Sequence, residues 1–205
     1  MNNRRSYKLP IRKSKKSKLK YIVIAIFATI LLGDIIGAVI FLRQSYETQN
    51  NLLIYMATGT EKNFFQTFTQ QFLTQLTVWT MGLTVIGALG NFFIMFSRGV
   101  SAGFNLAFLA HNHAGIGAIT VWFFQYLLIL LATALGVFWS ARFSILIILN
   151  LHKSKWAQLK KHFKIYAIQL GLLFVLTILT TTLSTMTLPG VREAVVQNNI
   201  TVLTE

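Results

Sequence analysis

The chain has 205 residues, of which 54% are hydrophobic and 12% charged, and it contains no cysteine. This composition excludes an ordinary soluble domain, and the lack of cysteine excludes disulfides, thiolate catalysis and cysteine metal sites. The net charge of +14 comes mainly from basic residues beside apolar runs, without the interleaved aromatics of a nucleic-acid surface, so we interpret it as a marker of the cytoplasmic membrane face that also attracts anionic lipid headgroups.

Residues 1–20 are polar and basic, include Lys13 and Lys16, and are expected to form a cytoplasmic arm without a core. Residues 21–42 form the first apolar run, about 20 residues long, which is enough to cross a bilayer. Because the run continues past Asp34 without a convincing cleavage site, we interpret it as a retained signal anchor rather than a cleaved signal peptide.

Residues 43–75 are rich in Gln, Asn and Thr and are expected to lie outside the membrane. Within them phenylalanines recur at helical spacing, which predicts an amphipathic helix on the outer surface that runs into the second span. We expect four phenylalanines of this helix to form an outer face for partner proteins: Phe64, Phe65, Phe68 and Phe72.

Residues 75–97 and 99–111 are expected to be the second and third spans, joined by a tight turn at Arg98 on the cytoplasmic side. The third is short, which predicts either a locally thinned bilayer or a partial helix sheltered by its neighbours. Glycines recur in these spans and in the first at spacings that permit close contact between helices. The proposed contact glycines are Gly33, Gly37, Gly82, Gly87, Gly99 and Gly103.

After a turn, residues 118–141 are expected to be the fourth span, with Arg142 at the inner headgroups and a cytoplasmic helical extension beyond it. A basic loop over 150–164, which includes Lys160 and Lys161, leads to a last span over 165–188. Pro189 and Gly190 are expected to end that span, leaving an outer tail over 189–205. The prediction is an all-α, polytopic transmembrane bundle of about five spans, with the amino terminus inside and the carboxyl terminus outside.

Asp34 is the only acid within a predicted span, and an ionisable group in a membrane either has a bonding partner or serves transport or signalling. Three amides within spans are the natural hydrogen-bond partners: Asn91, Asn105 and Gln125. The Thr-rich run over 180–187 is expected to bond to its own helix or to a neighbour, with a pore lining as the alternative.

His111 and His113 raise the possibility of a metal site, set against a simple outer turn. By the predicted topology the other two histidines, His152 and His162, lie on the opposite side, so the four cannot converge on one ion. The sequence also lacks a GxSxG elbow, an HExxH helix and a phosphate-binding loop. We therefore predict no enzymatic activity, no cofactor and no metal.

Two consecutive stretches, GLTVIGALGNFFIMFSRGVSAGFNLAFL and WFFQYLLILLATALGVFWSARFSI, resemble the stage II sporulation protein M family of bacterial membrane proteins. The matching features are a tryptophan-led span that ends at Arg98 and Gly99, then Gly103 and Phe104, and then a Gln- and Leu-rich span that ends near Arg142. The similarity covers about residues 21–185. Phe123 and Phe124 stand where that family is expected to have proline.

The resemblance implies a non-enzymatic scaffold of the bacterial cell membrane that positions enzymes of peptidoglycan remodelling. Non-sporulating relatives include competence-immunity-like proteins of streptococci, which protect a producer from its own wall hydrolase. The implied partners are the lipid bilayer and wall hydrolases or division and wall-synthesis proteins, with no nucleic acid. The alternative is a transporter subunit or small-solute permease in which Asp34, Gln125 and Asn105 line a polar path. The sequence leaves the oligomeric state open.

Overall fold

A computed structural model describes residues 15–58, 63–84, 86–112, 114–151 and 156–204. Apart from short connections these residues are helical, and no strand occurs among them, so the predicted all-α class is confirmed. The helices over these residues are α1 (Lys15–Leu42), α2 (Tyr46–Thr58), α3 (Phe64–Met81), α4 (Gly87–His111), α5 (Gly115–Leu151) and α6 (Trp156–Thr204).

Four helices contain segments that are long and apolar enough to cross a membrane. These segments are Lys20–Leu42, Gly87–His111, Gly115–Ile148 and His162–Gln197. α3 has 18 residues, but its Gln and Thr content keeps it outside this group. The described chain therefore has four strongly apolar helices and one polar-rich helix of comparable length where five apolar spans were expected.

The chain turns directly after α3, at residues 82–84, and the predicted division at Arg98 was wrong. Successive i to i+3 backbone hydrogen bonds close the end of α3, from Gly82, Leu83 and Thr84 to residues 79–81. Arg98 instead lies within the uninterrupted α4, because arginine is a good helix former and one charge does not end a helix. The predicted short third span is thus the second half of a 25-residue helix.

α6 also continues where the sequence predicted an end. Pro189 lies inside this 49-residue helix, although proline removes one backbone donor and leaves the Thr185 carbonyl without its helical partner. Beyond the proline, Val191 and Val195 are buried against α1, α4 and α5. Their burial offsets the lost hydrogen bond, so part of the predicted tail is a packed helix.

Side-chain contacts fix the relative directions of the helices. α1 and α4 run parallel, since Gly33 lies beside Phe96 and Phe41 lies beside Phe108. The chain between two parallel helices has to return along the bundle, and α3 makes this return. α3 is antiparallel to α6, and α4 is antiparallel to α5.

Two groups of buried apolar residues form the core. One lies at the end where α1 and α4 finish and includes Phe41, Trp122 and Val195. The other lies nearer their starts and includes Ile26 and Val137. The outward faces expose large apolar side chains, as expected of helices whose neighbours are lipid tails.

Candidate functional site

The closest helix contact joins α1 and α4 through glycine. Gly33 and Gly37 on α1 and Gly99 and Gly103 on α4 are all buried. A Cβ atom built on Gly99 would lie 2.5 Å from the Ile30 carbonyl oxygen and 3.1 Å from the Gly33 Cα atom. The two backbones are therefore in direct contact. Helices pack in this way in lipid, where burying apolar surface against another helix contributes little free energy. We call these four residues the glycine contact.

The other two proposed contact glycines lie at the turn between α3 and α4. A Cβ atom on Gly82 would lie 2.5 Å from the Ser140 Oγ atom on α5. A Cβ atom on Gly87 would meet the Met81 carbonyl and would lie 2.9 Å from the Thr84 Oγ1 atom. Gly82 therefore lets the end of α3 approach α5 and α6 closely, as a contact glycine should, whereas Gly87 permits a compact turn.

A polar cavity of about 500 Å³ lies between α3, α4, α5 and α6, in the half of the bundle where α4 ends and α5 begins. Its polar wall comprises Tyr55 of α2 together with Thr67, Gln70, Gln71, Arg98, Ser101, Asn105, Gln125, Tyr126, Ser184, Thr185 and Arg192. Apolar groups complete it, among them Ile129 and Leu188. No described acidic residue lines it, so two arginines set the sign of its charge.

Arg98 lies near the middle of α4, whereas the sequence placed it at the cytoplasmic surface. Its side chain is half-buried in the cavity wall, and the Tyr126 hydroxyl donates a hydrogen bond to its backbone carbonyl. Trp122 stacks on Tyr126, with 5.2 Å between the ring centroids. The cavity surrounds the guanidinium with amide and hydroxyl groups, which reduces the cost of a cation at this depth but supplies no counter-ion among the described residues.

The three amides proposed as partners of Asp34 do not bond to it. Asn91 is fully buried and donates to the Ser140 hydroxyl, while Gln125 accepts a 2.5 Å hydrogen bond from Thr187. Asn105 is exposed on the cavity wall. The expected hydrogen bond between Asp34 and an amide is therefore wrong.

Asp34 instead lies on the face of α1 that meets α4. Its Oδ1 atom is buried and has no hydrogen-bond partner among the described residues. The carboxyl group lies within electrostatic range of Tyr126, although Asp34 does not line the cavity. The glycine contact explains this position, because the close approach of the two backbones carries Asp34 into the interface.

Gln71 is a site residue that the sequence reasoning missed. Its Oε1 atom accepts hydrogen bonds from Thr180 at 2.9 Å and Thr181 at 3.2 Å, and its amide donates to Ser184 at 3.5 Å. One turn later, the Gln75 amide donates to Thr133 of α5 at 3.1 Å. The four-residue spacing of these glutamines on a Phe-rich helix was the available signal for a buried polar face.

The Phe face turns mainly inward, contrary to its predicted role as an outer interaction face. Phe64, Phe68 and Phe72 form a stacked ladder along α3. Phe68 and Phe72 contact Phe174 of α6 edge to face, at 5.7 and 5.4 Å between centroids. Phe65 alone of the four projects away, with 77% of its surface exposed. α3 is therefore a packed member of the bundle.

Trp79 and Tyr166 hold the other end of α3 to α6. The Trp79 indole donates to the Tyr166 carbonyl at 3.1 Å, and the Tyr166 hydroxyl donates to the Trp79 carbonyl at 2.6 Å. The rings stack with 5.1 Å between centroids. Such a reciprocal pair satisfies both polar tips while it buries both rings.

The basic residues expected to mark the cytoplasmic face lie toward one end of the bundle where they are described. Arg142 and Lys160 are exposed, near the end of α5 and the start of α6 respectively. Lys16 and Lys161 lie within α1 and α6. Lys13 falls outside the described residues.

The histidines do not form a cluster in the described part of the chain. His111 is exposed and packs edge-on against Phe41, with 5.7 Å between the rings. His113 and His152 lie outside the described residues. No group of three or more His, Asp and Glu residues that could hold a metal ion occurs among the described residues.

Taken together, the described side chains offer hydrogen bonds and positive charge within a membrane-sized bundle. Comparison with known protein families, curated proteins and solved structures found no match to this chain. Its function therefore has to be inferred from its own residues: the glycine contact, the polar cavity and the aromatic groups at the ends of the helices.

Proposed function

We propose that this chain is a multi-pass protein of a bacterial cell membrane that acts without catalysis as a scaffold or regulator of peptidoglycan remodelling. The resemblance to the stage II sporulation protein M family supports a role in peptidoglycan remodelling. The close backbone contact of α1 with α4 supports a rigid framework rather than a mobile enzyme. In this proposal the partners are wall hydrolases, or division and wall-synthesis proteins, bound beside the bilayer.

The proposed topology has five passages, with the amino terminus inside and the carboxyl terminus outside. α1 and α4 are parallel, so α3 is the passage that returns the chain between them even though its composition is polar. Its glutamines are compatible with that depth because they bond to hydroxyl groups of α5 and α6. Lys20, Arg142 and Lys160 then share the cytoplasmic end, in agreement with the positive-inside rule.

The observation that carries the scaffold proposal is a set of exposed aromatic side chains at the opposite end of the bundle. Tyr46, Tyr55 and Phe65 are 82%, 75% and 77% exposed. We call them the outer aromatic set. Aromatic side chains are enriched at protein interfaces because they bury a large area for little conformational entropy. This set replaces the predicted Phe face as the proposed docking surface.

The topology has a direct test because the chain contains no cysteine. Single variants Phe65→Cys and Lys160→Cys are labelled in intact cells with a membrane-impermeant maleimide. We expect labelling of Phe65→Cys in intact cells, and of Lys160→Cys only after the membrane is opened. Labelling of both positions from the same side would overturn the proposed topology and with it the outer docking surface.

The scaffold role is tested by crosslinking in intact cells followed by affinity purification. We expect the wild-type chain to recover a wall hydrolase or a division protein, and the double variant Tyr46→Ala, Phe65→Ala to recover much less. Tyr21→Ala is the control, since Tyr21 is also 67% exposed but lies near the basic end of α1. Equal recovery by the double variant would contradict docking through the outer aromatic set.

The polar cavity favours a second candidate, a transporter subunit or permease. Asn105 and Gln125 line it as that alternative requires, whereas Asp34 does not. The discriminating variant is therefore Gln125→Leu rather than Asp34→Asn. Transport predicts that Gln125→Leu abolishes function while partner recovery survives, and that an ATP-binding cassette subunit is recovered from wild-type membranes. The scaffold proposal predicts instead that function is lost when the outer aromatic set is substituted.

A further inference from the structure

The cavity wall contains basic side chains and, among the residues that the structure describes, no acidic one. Arg98 and Arg192 both line it, and its other polar groups are amides and hydroxyls. No hydrogen bond or ion pair joins the Arg98 guanidinium to a described side chain, and the nearby Tyr126 hydroxyl bonds to the Arg98 backbone carbonyl instead. An arginine half-buried in a membrane bundle without a protein counter-ion is costly unless an anion accompanies it.

The composition of the wall indicates which anion fits. Guanidinium groups bind oxyanions through paired N–H donors, and the exposed amide of Asn105 adds a neutral donor to the same wall. Ile129 and Leu188 provide an apolar part, and the volume of about 500 Å³ exceeds what a bare inorganic ion needs. The wall therefore suits an anionic group attached to a larger and partly apolar molecule.

Asp34 does not neutralise this cavity. It lies on the far helix of the glycine contact, outside the lining, and its Oδ1 atom is buried. The Tyr126 hydroxyl is bonded to the Arg98 backbone carbonyl, so it does not occupy the guanidinium. The side of Arg98 that faces the cavity is therefore left to a ligand.

We propose that the cavity between α3, α4, α5 and α6 binds a phosphate-bearing anion, carried by a membrane lipid or by a soluble phosphate ester, through Arg98. The inference goes beyond the scaffold proposal and does not depend on it. Its test uses only the purified full chain and defined ligands, so its failure and a failure to recover a partner protein are separate results.

The lipid arm of the test measures retention of phosphatidylglycerol against phosphatidylcholine by native mass spectrometry. We expect the wild-type chain to retain phosphatidylglycerol in preference to phosphatidylcholine. In Arg98→Gln we expect this preference to fall about tenfold, which is the usual contribution of one charge-assisted hydrogen bond. Arg142→Gln is the matched control, because it removes the same charge from an exposed position outside this cavity. Unchanged retention by Arg98→Gln, or an equal loss in Arg142→Gln, would overturn the assignment.

The soluble arm titrates glycerol 3-phosphate and inorganic phosphate into the protein in phosphatidylcholine nanodiscs. Binding that requires Arg98 in this arm alone supports the site and assigns it to soluble phosphate esters. Retention of phosphatidylglycerol that requires Arg98 supports the site and assigns it to lipid. Absence of binding in both arms refutes the proposal.

A second pair of variants keeps the test decisive if Arg98→Gln fails to fold. Ser101→Phe fills the cavity without changing its charge, while Ser97→Phe places the same side chain on an exposed position of α4 outside the lining. We expect Ser101→Phe to lose binding about tenfold and Ser97→Phe to keep it. Equal binding by the two variants would place the anion elsewhere.

Discussion

The contact between α1 and α4 leaves no room for a side chain at Gly99, and Gly99→Ala tests whether that contact holds the bundle together. The added Cβ atom would lie 2.5 Å from the Ile30 carbonyl oxygen, 3.1 Å from the Gly33 Cα atom and 3.2 Å from the Asp34 amide nitrogen. All three neighbours are backbone atoms, so no rotamer change relieves the overlap. The helices have to move apart.

The size of that movement sets the expected cost. Ordinary van der Waals contact begins at 3.4 Å, so the carbonyl has to withdraw by about 0.9 Å. A gap of about 0.5 to 1 Å loses between a quarter and a half of the dispersion energy of the separated atoms. We therefore expect Gly99→Ala to lower the free energy of unfolding by about 1 to 3 kcal/mol, the usual range for overpacking.

The assay is SDS-induced unfolding of the purified protein in mixed micelles, followed by circular dichroism. Gly171→Ala is the control, because a Cβ atom at Gly171 meets nothing within 4 Å and alanine is the better helix former. Gly90→Ala is a second control on α4 itself, where the nearest atom is the flexible Met81 sulfur at 3.2 Å. If Gly99→Ala is as stable as both controls, the glycine contact does not hold α1 to α4.

Three further tests rest on the same structure and use the same unfolding assay. Gln125→Leu and Thr187→Val should show a coupling energy of about 0.6 to 2 kcal/mol in a double-mutant cycle, and additive effects would mean that the bond between them is absent. Pro189→Ala should stabilise the chain by about 1 to 3 kcal/mol, since alanine restores a backbone donor within α6, and a loss of stability would show that the proline is needed there. Phe68→Ala should destabilise the chain by about 1 to 3 kcal/mol because Phe68 packs on α6, whereas Phe65→Ala should change stability by less than about 0.5 kcal/mol, and equal effects would refute the inward orientation of the ladder.

Composition and local pattern were sufficient for the helical class and for the first apolar helix, because apolar length and helical periodicity are properties of neighbouring residues. The spacing of Gly33 with Gly37 and of Gly99 with Gly103 likewise marked small residues on one helix face. Which helices those faces join, and that they run parallel, followed only from the structure. At Arg98 the sequence was ambiguous, since a charge in an apolar run is compatible both with a helix end and with the wall of a polar cavity.

The helical class, the local clusters of positive charge and an apolar content high enough for a membrane could all be predicted from the residues, because those properties add up residue by residue. The packing of α3 within the bundle, the continuation of α6 through Pro189 and the separation of Asp34 from the amides became evident from the folded chain. Each of these features depends on partners distant in the chain: hydroxyls of α5 and α6 bond to Gln75 and Gln71 of α3, and apolar side chains of other helices bury Val191 and Val195. Whether a polar residue is buried, or a proline ends a helix, therefore depends on the partners that the other helices supply.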